Sequence, residues 1–193
     1  MFIQTELTPN PATIKFIPGQ IVLESGTIDF DSPTAAEGAP LALRLFKLQG
    51  VERVFLGRDF ISVTKNDDTD WSMLKTMVLA ALMDHLSTNQ PIVLPETLTK
   101  ANTGHAEADG NDGALDSEIV SQIKELLDTR VRPAVAMDGG DIAFESFTNG
   151  IVLLRMKGAC AGCPSSTATL KSGIENMLKH YIPEVLEVRQ VEY

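Results

Sequence analysis

Between residues 88 and 114 the apolar rhythm that runs through the rest of this chain stops, and that break limits what the chain can fold into. Gln90-Pro91 and Leu94-Pro95 interrupt any regular element. A tract of Asn, Gly, Ala, Asp and Glu follows, ending in Gly110-Asn111-Asp112-Gly113, which is linker composition. A 193-residue chain cut there leaves two pieces, each short enough to be one small domain with its own core. The expected division is a first domain over residues 1–95, an acidic flexible linker over 96–114, and a second domain over 115–193. Residues 92–94 are expected to pack as the tail of the first domain, and His105, in mid-linker, to be solvated.

In the first piece, residues 12–17 read as a strand, and Pro18-Gly19 turns the chain into Ile21-Val22-Leu23, which suggests a hairpin. Leu41, Leu45 and Leu48 recur at helical spacing within residues 35–48, with Gly50 as the expected C-cap. Residues 51–56 and 59–64 are β-prone and flank Gly57-Arg58, a tight hairpin signal. Asp70 is the expected N-cap of a helix over 71–86. On it Trp71, Leu74, Val78, Ala81, Leu82 and His85 share one face, which Met73, Met77, Leu79 and Met83 widen. That stripe reads as the core face of a helix on a sheet rather than as a binding surface, with His85 a satisfied histidine at its end. No nucleophile–base pair and no Gly-rich phosphate loop occurs in this half.

The second piece opens with a helix that Asp116 is expected to cap. Ile119, Ile123, Leu126 and Leu127 form its stripe, Glu118 suits its first turn, and Pro133 kinks or ends it. Asp138-Gly139-Gly140-Asp141 reads as a backbone turn. As a Ca²⁺ loop it would have only two carboxylates before Glu145, too few for the usual oxygen cage. Residues 142–147 and 151–157 bracket Asn149-Gly150, the strongest short hairpin signal available. A helix follows over 164–181, with Leu170, Ile174, Met177, Leu178 and Tyr181 inward. Ile182-Pro183 stops it, and residues 184–192 alternate as a last strand. The fold class is α+β: two small mixed domains, the second in the order α-β-β-α-β.

A formal charge of −10 argues against a nucleic-acid partner, which requires a basic face. No apolar run reaches the ~18 residues of a membrane span, so no membrane role is expected. Residues 1–6 lack a basic n-region and an apolar h-region and are not Arg-rich, so no leader is read there. The expected compartment is a reducing cytoplasm, and a processed organellar form is the alternative.

Cys160 and Cys163 are the chain's two cysteines, three positions apart. Pro164 suits the first position of a helix, which makes Cys163 the N-cap. Both thiols are then expected at the positive end of a helix dipole, near the N–H groups of Ser165 and Ser166, where thiol pKa falls and anions are favoured. Pro164-Ser165-Ser166-Thr167 carries no acid, although that end usually welcomes one. Gly158, Ala159, Ala161 and Gly162 keep the loop small. A structural zinc or a Cys₄ cluster takes four donors, and this chain supplies two. His180 lies seventeen residues past Cys163, about 25 Å along a continuous helix at ~1.5 Å per residue. His85 and His105 belong to the other piece and the linker. The pair is therefore either a thiol couple that needs no metal, or half of a metal site closed by a second copy, holding zinc or a cluster. A thioredoxin-like couple fits less well, because the upstream hairpin is antiparallel and only one strand remains after residue 183. A purely structural role is disfavoured by a Gly, Ala and Pro-Ser-Ser loop that does not read as core.

The run Gly158-Ala159-Cys160-Ala161-Gly162-Cys163-Pro164-Ser165-Ser166 resembles the NifU-type (Nfu) iron–sulfur cluster domain. So do Thr169-Leu170-Lys171, Gly173-Ile174-Glu175, Ile182-Pro183-Glu184-Val185 and Asp138-Gly139-Gly140-Asp141-Ile142. The first half is similar to the N-terminal domain of two-domain Nfu proteins. There Thr8-Pro9-Asn10-Pro11, Lys15-Phe16, Pro18-Gly19, Gly50-Val51, Val54-Phe55, Asp59-Phe60 and Val63-Thr64-Lys65 carry the likeness. The resemblance implies an assembly scaffold or carrier rather than an enzyme. It implies a labile [4Fe–4S] cluster held between two protomers of a homodimer, with Cys160 and Cys163 of each chain as ligands. It also implies transfer to apo-proteins, with the N-terminal domain contacting clients or other assembly factors. Some family members carry an organellar presequence. None is read here, which favours a bacterial cytoplasmic protein. A zinc-bridged dimer and a thiol–disulfide oxidoreductase remain the rival readings of the same pair.

Overall fold

The computed structural model describes residues 2–88, 90–98, 114–161 and 164–191, and the side chains of all of these except 114–116 and 164–167. The chain forms two compact units that divide between Ala106 and Glu107. Most of the expected linker, residues 99–113, lies outside the described residues, His105 included. Its first residues belong to the first unit: 95–98 are helical and Leu98 packs on that unit's core, so the tail runs beyond residue 95.

The first unit is built on an antiparallel sheet of β1 (Gln4–Leu7), β2 (Thr13–Ile17), β3 (Ile28–Phe30), β4 (Val51–Leu56) and β5 (Ile61–Lys65), in the order β1-β2-β5-β4-β3. Alternation puts every second side chain on one face. Ile14, Val63 and Val54 line up across three strands, and Phe16, Ile61 and Leu56 form the next row. These rows join Leu41 and Leu45 of α1 (Pro40–Phe46) and Leu74, Val78 and Leu82 of α2 (Trp71–Ser87) in one buried cluster.

Five local expectations change here. Residues 21–23 form no strand: β2 is already flanked by β1 and β5, and the N–H groups of Val22 and Leu23 both donate to Arg58 O, at 2.7 and 3.1 Å. Helix α1 starts at Pro40 rather than near 35, because proline disfavours helical backbone at the residue before it and Ala39 is at φ −121°. Its C-cap is Lys47, with Gly50 beyond it. The hairpin at Gly57 has its tip one residue later than expected, at Arg58-Asp59, closed by Gly57 N–H donating to Phe60 O at 2.9 Å. Finally, α2 begins as expected, with Asp70 Oδ1 accepting from Ser72 N–H at 2.7 Å, but its methionines do not widen the core face. Met73, Met77 and Met83 point to solvent, Met73 at 75% exposure.

In the second unit α3 (Ala114–Leu126) includes Asp116 within the helix, so that residue is not its cap. At Leu127–Val131 the helix widens into a π segment and continues as α4 (Arg132–Met137). Pro133 has no N–H for an i→i−4 bond, and a wider turn carries the chain past it where an end or a plain kink was expected. Strands β6 (Gly140–Thr148) and β7 (Ile151–Gly158) pair antiparallel about Asn149 at φ 51° and Gly150 at φ 80°, the two left-handed positions of a type I′ turn. Helix α5 (Pro164–Tyr181) then crosses over to β8 (Glu187–Gln190), which lies parallel to β7 and completes the order β6-β7-β8. The core is made by Ile123, Leu127, Ile142, Leu154, Leu178 and Val188 with their neighbours.

Candidate functional site

The cysteine loop opens the crossover between β7 and α5. Buried positions alternate along β7 up to Gly158; β8 pairs with its first half, Ile151 to Leu154, and β6 pairs with it as far as Gly158. Ala159 and Cys160 continue inward, at 3% and 7% exposure. Ala159 N–H donates to Gly139 O at 3.2 Å, and Ala161 N–H closes a turn on Gly158 O at 3.0 Å. The loop is thereby tied to the Asp138–Asp141 turn, as Gly140 pairs with Gly158 at the start of the β6–β7 ladder.

Gly140 is where the two segments touch. A Cβ there would sit 2.5 Å from Cys160 Sγ, 2.8 Å from Lys157 O and 3.0 Å from Cys160 N. The missing side chain is the space into which the sulfur fits. Cys160 accordingly belongs to the buried cluster of this unit, against the expectation that the loop is not core. Its electrostatics also differ from expectation. Burial first, and then the negative charges of Asp138 and Asp141, push the Cys160 thiol up to about 12. A helix dipole was expected to lower it. The cause is direction: the sulfur turns inward onto Gly140, beside two carboxylates. Such a thiol is a poor nucleophile. A metal that binds it must displace its proton, and a coordinated thiol is deprotonated outright.

Cys163, the other expected ligand, lies outside the described residues. Helix α5 begins at Pro164, the position expected for it. His180 packs edge-on against Tyr181, ring centroids 4.9 Å apart. His85 is buried at 1% exposure with its Nε2 3.2 Å from Pro91 O, a satisfied histidine as expected. Among the described residues, no three His, Cys, Asp or Glu side chains group as a metal site.

Asp141 is unavailable to a cation, because Arg132 holds both of its oxygens. Nε donates to Oδ1 at 2.8 Å and an NH2 hydrogen to Oδ2 at 2.9 Å, while NH1 donates to Asp128 Oδ1 at 3.0 Å. Asp141 is 3% exposed, and its bonds to the guanidinium are the first cause that raises the Arg132 pKa further. The Arg132 contact had no signal in the sequence. The Gly140 cradle had half of one, since Gly139-Gly140 reads as a turn but not as a partner of the cysteine loop.

Two family models match the chain. That for the scaffold protein Nfu/NifU N terminal domain covers residues 3–89, and that for the NifU-like domain covers 123–189. Over 192 residues the chain is 51% identical to the human protein named NFU1 iron-sulfur cluster scaffold homolog, mitochondrial, across 99% of this chain and 72% of the human one. It is 52% identical over 192 residues to NifU-like protein 4, mitochondrial, of Arabidopsis thaliana, across 98% of this chain and 66% of that protein. A solution NMR structure of a NifU-like protein from Saccharomyces cerevisiae superposes on 48% of this chain and 84% of its own. Its TM-score is 0.44 and its identity 24%.

Proposed function

The chain belongs to the Nfu/NifU family of iron–sulfur cluster scaffolds, and from that premise we propose that it carries a [4Fe–4S] cluster between two copies of itself and passes it to apo-proteins. The cluster is cargo rather than a resident cofactor. Cys160 and Cys163 of each copy would be its four ligands. One observation carries this reading: the whole chain holds two cysteines, three positions apart and just ahead of Pro164 in the sequence, whereas Cys₄ ligation needs four. A second copy related by a two-fold completes the set with no other residue. The Gly140 cradle makes room for the Cys160 sulfur, since any other residue there would place a Cβ 2.5 Å from it. Release to a client is ligand exchange: client thiolates replace those of Cys160 and Cys163, which take up protons as they leave.

The first unit is proposed to contact clients or other assembly factors, with neither nucleic acid nor membrane as a partner. The proposed compartment is a reducing one: a bacterial cytoplasm, or the mitochondrion that the relatives' names give. A scaffold needs no catalytic residues, and none is assigned.

Anaerobic reconstitution with iron and sulfide tests the reading. A brown dimer with about two irons per chain is expected, lost on Cys160→Ser or Cys163→Ser with the fold retained. A loaded species that sediments as a monomer would sink the shared-cluster reading. A colourless zinc-containing dimer would replace the cluster with the metal, and disulfide exchange by an iron-free monomer would favour the redox couple.

A further inference from the structure

The buried Asp141 sits one residue after the glycine that receives Cys160, and a side chain from another element holds both of its oxygens. That side chain, Arg132, leaves the helix where the π segment Leu127–Val131 ends. It meets both carboxylate oxygens in fork geometry, at 2.8 and 2.9 Å, the arrangement that gives Arg–carboxylate pairs direction as well as strength. Asp141 lies in β6 opposite Lys157 of β7. The fork therefore anchors the first residues of the β6 strand, and with them the Asp138–Asp141 turn, to the helix. The turn in turn holds the loop: Gly139 O accepts from Ala159 N–H, and Gly140 faces Cys160 Sγ.

We propose that Arg132 is a positioning residue for the cargo site: its bidentate grip on buried Asp141 fixes the Gly139-Gly140 turn against which the Cys160 loop is seated. The proposal rests on the scaffold reading above. It assigns Arg132 a task at a distance, since Arg132 reaches the loop only through Asp141 and the turn. The bond to Asp128 is secondary, because that carboxylate is 60% exposed and exposed ion pairs are worth little.

The test uses the full chain with Arg132→Met, Arg132→Lys and Asp128→Asn. Hydrogen exchange of the iron-free proteins is read at the Ala159 amide against the Leu154 amide of β7. The lifetime of the reconstituted cluster is read under a chelator. Arg132→Met is expected to speed Ala159 exchange about tenfold or more, the worth of a charge-assisted hydrogen bond, with Leu154 unchanged, and to shorten the cluster lifetime by a similar factor. Arg132→Lys, a point charge without the fork, is expected in between, and Asp128→Asn within about twofold of the parent. If Arg132→Met does not fold, the lysine variant decides alone by the same two readings. Equal acceleration at Ala159 and Leu154 would reduce Arg132 to a global stabiliser and overturn the proposal. Selective acceleration with an unchanged cluster lifetime would also overturn it, as would no change in either. Failure of the unsubstituted chain to take up a cluster counts first against the scaffold reading, and removes the positioning role with it.

Discussion

Replacing Gly140 by alanine tests the seat of Cys160 directly. The new methyl carbon would lie 2.5 Å from the sulfur, and two backbone atoms, Lys157 O and Cys160 N, would lie 2.8 and 3.0 Å away. Ordinary contact is about 3.5–4.0 Å, so the sulfur must retreat by about an ångström. The backbone atoms sit in a paired strand and its turn and have little room to follow. Overpacking of this kind costs about 1–3 kcal/mol. Alanine returns about 0.4–1 kcal/mol by restricting the unfolded chain, which leaves a net loss of about 1–2 kcal/mol. In a domain of this size each kcal/mol moves the melting temperature by roughly 4–8 °C, so a fall of roughly 5–15 °C is expected for the second unit. In a Cys163→Ser background, alkylation at fixed pH should also label Cys160 faster in the alanine variant, because the sulfur is displaced from its buried seat. Gly173→Ala is the internal control. Gly173 lies in α5 with nothing within 4 Å of its added Cβ, so there alanine should stabilise by about 0.5–1 kcal/mol. A Gly140→Ala protein that melts with the parent and labels at the parental rate would refute the inward seat of Cys160.

Two further outcomes test the first unit. Leu82→Ala should cost about 2–5 kcal/mol by opening the core between α2 and the sheet, whereas Met77→Ser on the outer face of the same helix should change stability by under about 0.5 kcal/mol. Urea midpoints of the two variants separate this orientation from one that buries the methionines. Burial, the leading cause, holds His85 below its usual pKa of 6.5. As pH falls below about 6.5 the unfolded chain takes up a proton that the folded one still refuses, so stability drops with falling pH until the lowered folded value is reached. His85→Gln should flatten that part of the urea-midpoint profile, and parallel profiles for parent and variant would show that His85 does not titrate differently on folding.

Local chemistry made much of the fold legible. Asn149-Gly150 announced its hairpin because two left-handed positions admit few other residues. Asp70 announced α2 through its cap, and Pro164 and Ile182-Pro183 announced both ends of α5. Long-range competition was not legible. Residues 21–23 look like a strand, yet β2 had no free edge for them. The methionines of α2 look like core, yet the sheet covers only the Leu74–Val78–Leu82 side. Ile28–Phe30 is too short to be seen in a sequence. At the site, the count of two cysteines could be read, and with it the need for a partner chain on the scaffold reading. The inward turn of Cys160 could not, since it depends on the absence of a side chain at Gly140, twenty residues earlier.

That inward turn bears on what an empty scaffold must do. A thiolate at a helix N-terminus would suit ligation, and it would also invite oxidation whenever the site is empty. Burial against Gly140, with the charges of Asp138 and Asp141, instead raises the Cys160 pKa, which lowers the thiolate fraction an oxidant would meet at this sulfur. On the carrier reading, iron would have to displace a proton to bind, and a client that removed the iron would return Cys160 to its buried, protonated form. The same burial that opposes ligation therefore favours release. On the carrier reading the empty site is the one in which Cys160 is packed against Gly140, and a loaded site would have to give that packing up.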